Sequence, residues 1–126
     1  MITKFNHVGI AVKDVDKSIQ FFEEKLGAQL VEKKEVPEMK QISAMMTLGN
    51  FTLEIMQGTS EDAVVSKYVA SKGEGIHHLS VLMEDWDKDI DELEKKGLTI
   101  ISKDPETKFG FVHPKSCKGV LLEVTQ

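Results

Sequence analysis

Residues 7–19 read H-V-G-I-A-V-K-D-V-D-K-S-I, and residues 78–90 read H-L-S-V-L-M-E-D-W-D-K-D-I. Five positions are identical at an offset of 71: His7/His78, Asp14/Asp85, Asp16/Asp87, Lys17/Lys88 and Ile19/Ile90. Each copy runs into a charged amphipathic stretch that stops at glycine, F-F-E-E-K-L-G at Gly27 and D-E-L-E-K-K-G at Gly97. Further on, F-T-L-E-I-M around Glu54 is answered by V-L-L-E-V-T around Glu123, at an offset of 69. Self-similarity at a nearly fixed offset marks a supersecondary unit used more than once.

Within each half the pattern reads strand, helix, then three strands. Phe5–Val12 alternates, with Val8, Ile10 and Val12 on one face and His7, Gly9 and Ala11 on the other. Asp14 or Asp16 can cap a helix through Leu26, whose apolar stripe is Ile19, Phe22 and Leu26 and whose stop is Gly27. Strands are predicted at Gln29–Glu35, Gln41–Leu48 and Phe51–Met56, the last two joined by a Gly49-Asn50 turn. Glu61–Ser71 reads as a connecting helix. The second half predicts a strand at Ile76–Met83, a helix over Asp87–Lys96, and strands near Thr99–Lys103, Lys108–Val112 and Val120–Thr125. The fold class is therefore α+β. Two tandem βαβββ modules, about 1–58 and 74–126 with a helical connection over 59–73, form a curved mixed sheet around a cleft, helices outside. The expectation is one domain over 1–126.

Strand parity then selects the chemistry. His7 shares its face with Gly9 and Ala11, and His78 shares its face with Ser80 and Leu82. Glu54 lies between Leu53 and Ile55, Glu123 between Leu122 and Val124, so each carboxylate points away from the apolar face of its strand. An ionised carboxylate on a covered strand is expensive unless it is paired or coordinates a metal. His7, Glu54, His78 and Glu123, one imidazole and one carboxylate from each half, suit one divalent metal per chain with positions left for water or substrate. His77 has the opposite parity and is not part of this set.

Composition bounds the partners. Sixteen basic residues against 21 acidic ones give a net charge of −5, which disfavours sequence-independent binding to nucleic acid. Every basic residue is a lysine, so the planar arginine fork that clamps carboxylates and phosphates is missing. No apolar run approaches the ~20 residues of a membrane helix, and no leader segment precedes the first strand, so the chain is expected to be soluble. The single cysteine, Cys117, forbids an internal disulfide and fits the cytoplasm.

The pieces N-H-V-G-I-A-V, G-E-G-I-H-H-L and F-V-H-P-K-S-C-K-G-V-L-L-E-V-T-Q resemble the vicinal oxygen chelate (glyoxalase) superfamily, and within it the methylmalonyl-CoA epimerases. The run L-G-N-F-T-L-E-I-M-Q-G-T-S-E-D-A-V-V-S-K-Y-V is similar to that family's central segment. The resemblance covers essentially the whole chain. It implies a metal, cobalt-type (cobalt, nickel, zinc or manganese), held by the positions matching His7, Glu54, His78 and Glu123. It implies interconversion of (R)- and (S)-methylmalonyl-CoA by removal of the α-proton and a metal-stabilised enolate. The family's active-site glutamate in a V-P-E segment falls on Glu38, and Glu123 acts as acid–base group as well as ligand. Lys115, Ser116 and Lys118 are candidates for holding the phosphates of an acyl-CoA, and a homodimer is implied. One departure concerns the loop before the H-P-K-S motif. Here D-P-E-T-K-F-G-F-V-H-P is several residues shorter than is common in the family and lacks its G-A-H-G-type element.

Two other readings use the same scaffold. A glyoxalase I-like (lactoylglutathione lyase-type) isomerase would act on a thiol hemithioacetal, although the absence of arginine disfavours glutathione. A metal-free module that sequesters a ligand would have no use for both histidines and both glutamates.

Overall fold

Aspartate caps and glycine stops delimit the first and third helices, as the repeat requires. The computed structural model describes residues 1–126. In chain order its elements are β1 (Ile2–Ala11), α1 (Val15–Leu26), β2 (Gln29–Val36), β3 (Gln41–Leu48), β4 (Phe51–Gly58) and α2 (Val64–Lys72). There follow β5 (Gly75–Met83), α3 (Trp86–Lys95), β6 (Ile100–Asp104), β7 (Phe109–Val112) and β8 (Leu122–Thr125). Asp14 accepts the Lys17 backbone N–H at 3.0 Å and its repeat mate Asp85 accepts that of Lys88 at 3.3 Å, so one capping device starts both α1 and α3. Gly27 closes α1 in the left-handed region (φ 73°), where a side chain would be strained. No helix is long and apolar enough to cross a membrane.

The chain folds into two compact units, one of residues 8–77 and one of residues 1–7 with 78–126. This division differs from the 1–58 and 74–126 modules of the repeat. The reason is a change of partner along β1. From Val8 onward it runs parallel to β4, pairing Val8 with Leu53 and Ile10 with Ile55. Before His7, the Thr3 hydroxyl bonds the Leu82 carbonyl at 3.3 Å and the Met1 carbonyl receives the Glu84 N–H at 3.0 Å.

In the unit of residues 8–77 the strand order is β2-β3-β4-β1. Val12, Ala44, Met46, Leu53 and Ile55 pack with Val15 and Ile19 of α1, as the period-2 reading requires. Helix α2 covers the opposite face through Val65, against Ala11 and Met56. It lies so close that a Cβ on Gly58 would meet the Ser66 hydroxyl at 1.9 Å. Helix α2 begins at Val64, not Glu61, because Ser60 donates to Asp62 in a turn that holds the chain off the helix.

In the other unit the order is β1-β5-β8-β7-β6. Val81, Met83, Val112 and Val124 pack with Trp86, Ile90 and Leu93 of α3. Trp86, 1% exposed, satisfies its indole N–H on the Val124 carbonyl at 3.1 Å. Strand β7 starts one residue later than predicted, since Lys108 is left-handed (φ 55°). Strand β8 starts two residues later than predicted, after a turn in which Val120 bonds the Cys117 carbonyl.

Candidate metal centre

His7 on β1, His78 on β5 and Glu123 on β8 lie together within the second of these units, at 7%, 4% and 8% exposure. Their nearest ligand atoms all fall within 4.8 Å of one another. The two Nε2 atoms are 3.1 Å apart, His7 Nε2 is 3.5 Å from Glu123 Oε2, and His78 Nε2 is 3.7 Å from Glu123 Oε1. The imidazole planes meet edge to face, with centroids 5.2 Å apart. Atoms bound about 2.0–2.2 Å from one ion at tetrahedral or octahedral angles stand roughly 3.0–3.5 Å apart. The two imidazole nitrogens match that spacing, and Glu123 comes near it through a different oxygen for each histidine, at 3.5 and 3.7 Å. Two imidazole nitrogens and one carboxylate oxygen also form a donor set that suits borderline divalent metals.

Hydrogen bonds and packing hold the triad in place. Ser80 is the register partner of Glu123 across the parallel β5/β8 pair, and its hydroxyl donates to Glu123 Oε2. The Asn6 side-chain N–H donates to the Ser80 oxygen at 3.3 Å. On the other side of β8, Phe111 pairs with Glu123 and sets its ring edge-on to His78, centroids 5.8 Å apart. Neither Ser80 nor Phe111 was a site residue in the sequence reading. The available signal was parity: Ser80 is two residues beyond His78, on the same face.

The remaining candidates are carried by other elements. Glu54 belongs to the unit of residues 8–77, half-buried at mid-strand between buried Leu53 and Ile55, with Gly9 and Met45 as its register partners. Glu38 is exposed on a single turn, Pro37–Met39, that links β2 to β3. The H-P-K-S motif forms another such turn. His113 Nδ1 accepts the Lys115 N–H at 3.0 Å, and the Ser116 hydroxyl donates to the His113 carbonyl while accepting the Thr99 N–H, both at 3.0 Å. Ser116 thus ties the turn to the start of the β6 segment, whereas Lys115 and Lys118 are exposed. His77 sets its ring edge-on to Tyr68, centroids 4.8 Å apart.

Comparisons with known proteins place the chain among epimerase-like sequences and folds. Human mitochondrial methylmalonyl-CoA epimerase is 32% identical over 131 residues, spanning 98% of this chain and 73% of that protein. The ethylmalonyl-CoA/methylmalonyl-CoA epimerase of Cereibacter sphaeroides is 28% identical and matches 100% of this chain and 99% of its own. A solved structure of a Streptomyces coelicolor methylmalonyl-CoA epimerase variant, in complex with 2-nitronate-propionyl-CoA, superposes with a TM-score of 0.86. That structure is 30% identical and covers 98% of this chain and 96% of its own. The Glyoxalase/Bleomycin resistance protein/Dioxygenase superfamily model matches residues 4–124, and the chain belongs to that superfamily.

Proposed function

We propose that this chain is a methylmalonyl-CoA epimerase, inverting the α-carbon of a 2-carboxypropanoyl thioester by removing the α-proton from one face and delivering a proton to the other. The observation that carries the reading is the buried His7–His78–Glu123 triad in a chain whose full-length relatives are epimerases of this kind. A divalent cation bound there supplies Lewis-acid stabilisation of negative charge developing on the thioester oxygen. His7, His78 and Glu123 would hold it, and Glu54 is assigned as a fourth ligand on the strength of the sequence repeat. We assign Glu38 and Glu123 to opposite faces of the α-carbon, on the family resemblance. One carboxylate takes the proton, leaving an enolate, and the other carboxylic acid returns a proton to the far face. After one turnover the first group holds the substrate's former proton and the second has lost its own, and exchange with solvent resets both. Lys115 and Lys118 are assigned to the phosphates of the coenzyme, with Ser116 shaping the turn that carries them. A homodimer in a reducing cytoplasm completes the proposal, in keeping with the single Cys117.

The test is exchange with inversion. The protein, loaded with cobalt, is incubated with one enantiomer of methylmalonyl-CoA in deuterated water. Formation of the other enantiomer carrying one deuterium is the expected result. No inversion here, together with turnover of methylglyoxal plus a thiol, would replace the reading with a glyoxalase-type isomerase.

A further inference from the structure

Ser80 is fully buried, yet it lies on the face of β5 that carries the triad rather than in the apolar core. A hydroxyl in such a place must spend both its donor and an acceptor site on the protein. Its oxygen receives the Asn6 amide N–H, and its proton goes to Glu123 Oε2. Because the amide donates into the serine oxygen, the serine proton is left for the carboxylate. At the equivalent place in the first module, Gly9 is paired in register with Glu54 and has no side chain to offer. The strand position that gives Glu123 a hydroxyl therefore gives Glu54 none.

We propose that Ser80, oriented by Asn6, is the positioning residue that fixes the Glu123 carboxylate for metal binding. The proposal rests on the metal-site reading above. A ligating carboxylate free to rotate on a strand samples geometries in which neither oxygen meets the histidine nitrogens. A fixed donor on one oxygen leaves the other presented in a single orientation. Outer-shell donors of this kind typically change metal affinity by about 10–100-fold when removed.

The experiment measures cobalt affinity by chelator competition, and the visible absorption of the cobalt-saturated protein, for wild type, Ser80→Ala, Ser80→Thr and Asn6→Leu. Ser80→Ala is expected to lose about 10–100-fold in affinity and to shift the cobalt absorption at saturation. Ser80→Thr, which keeps the hydroxyl, should recover most of both. Asn6→Leu should move both readouts in the same direction by a smaller factor. Wild-type affinity and spectrum in Ser80→Ala would overturn the proposal, as would equal losses in Ser80→Ala and Ser80→Thr, which would assign the effect to packing. Should Ser80→Ala not fold, Asn6→Leu decides: unchanged readouts overturn the proposal and a matched loss supports it. A wild-type chain that takes up no cobalt would overturn the metal-site reading itself, a separate result from a wild-type-like Ser80→Ala.

Discussion

Ser80 and Glu123 face one another across the parallel β5/β8 pair, the serine hydroxyl donating to the carboxylate. Their repeat mates Gly9 and Glu54 face one another across β1/β4 in the same way, with no hydroxyl present. Duplication preserved the strand pairing, while the side chains that serve the two carboxylates diverged. The two glutamates should therefore respond differently to substitution.

Removing a triad imidazole should be more damaging than removing Ser80. His7→Ala or His78→Ala is expected to reduce cobalt affinity beyond the ~10–100-fold typical of an outer-shell residue. Elemental analysis and chelator competition on the purified variants check this. In wild type, metal at a hundred times its dissociation constant should stabilise the fold by about 2.7 kcal/mol through mass action. A melting temperature that does not respond to any divalent cation would count against the site.

Glu38→Gln should keep metal and substrate binding and lose turnover. Loss of a general acid–base group typically removes about 10²–10⁴ in rate, roughly 3–5 kcal/mol at 1.36 kcal/mol per tenfold. The remaining carboxylate would still exchange solvent deuterium into one enantiomer without inversion, which chiral analysis of the recovered thioester detects. Inversion at near wild-type rate would remove Glu38 from the mechanism.

Trp86 anchors α3 to β8 by area and by its indole N–H. Trp86→Ala should destabilise the protein by about 3–5 kcal/mol, the usual range for deleting a buried large aromatic. Trp86→Phe keeps most of the area and should be milder, leaving the Val124 carbonyl without this partner. Urea titration of both variants separates the packing contribution from the hydrogen bond.

Asp62 offers a pH readout within the unit of residues 8–77. The hydrogen bond from the Lys40 ammonium, helped by the Ser60 hydroxyl, pulls its carboxyl from the ordinary 3.8 to about 2. A depressed folded-state value means that the contribution to stability is present above 3.8 and is lost as pH falls toward 2. Because the pair is exposed, added salt should move the value back toward normal. Carboxyl-carbon NMR titration of wild type and Lys40→Ala checks both statements.

Much of this molecule is readable along the chain. The order of strands and helices, the Asp14 and Asp85 caps and the Gly27 stop all follow from interactions spanning two to four residues, which leave periodic traces. Helix α2 is legible as a connecting helix, but it starts three residues after the predicted Glu61, where a Ser60–Asp62 turn intervenes, and ends one residue after Ser71. The shared parity of His7 and Ala11, and of His78 and Ser80, was likewise evident from alternation alone. Which strands lie side by side was not. Ser80 and Glu123 are separated by 43 residues, and no local pattern records that β8 docks beside β5 in the register that joins them. Nor does any local pattern record that β1 changes partner at His7, which divides the units through the strand rather than between the modules. Local sequence determined which residues could share a face. Long-range strand pairing, set by burial summed over whole elements, decided which of them meet.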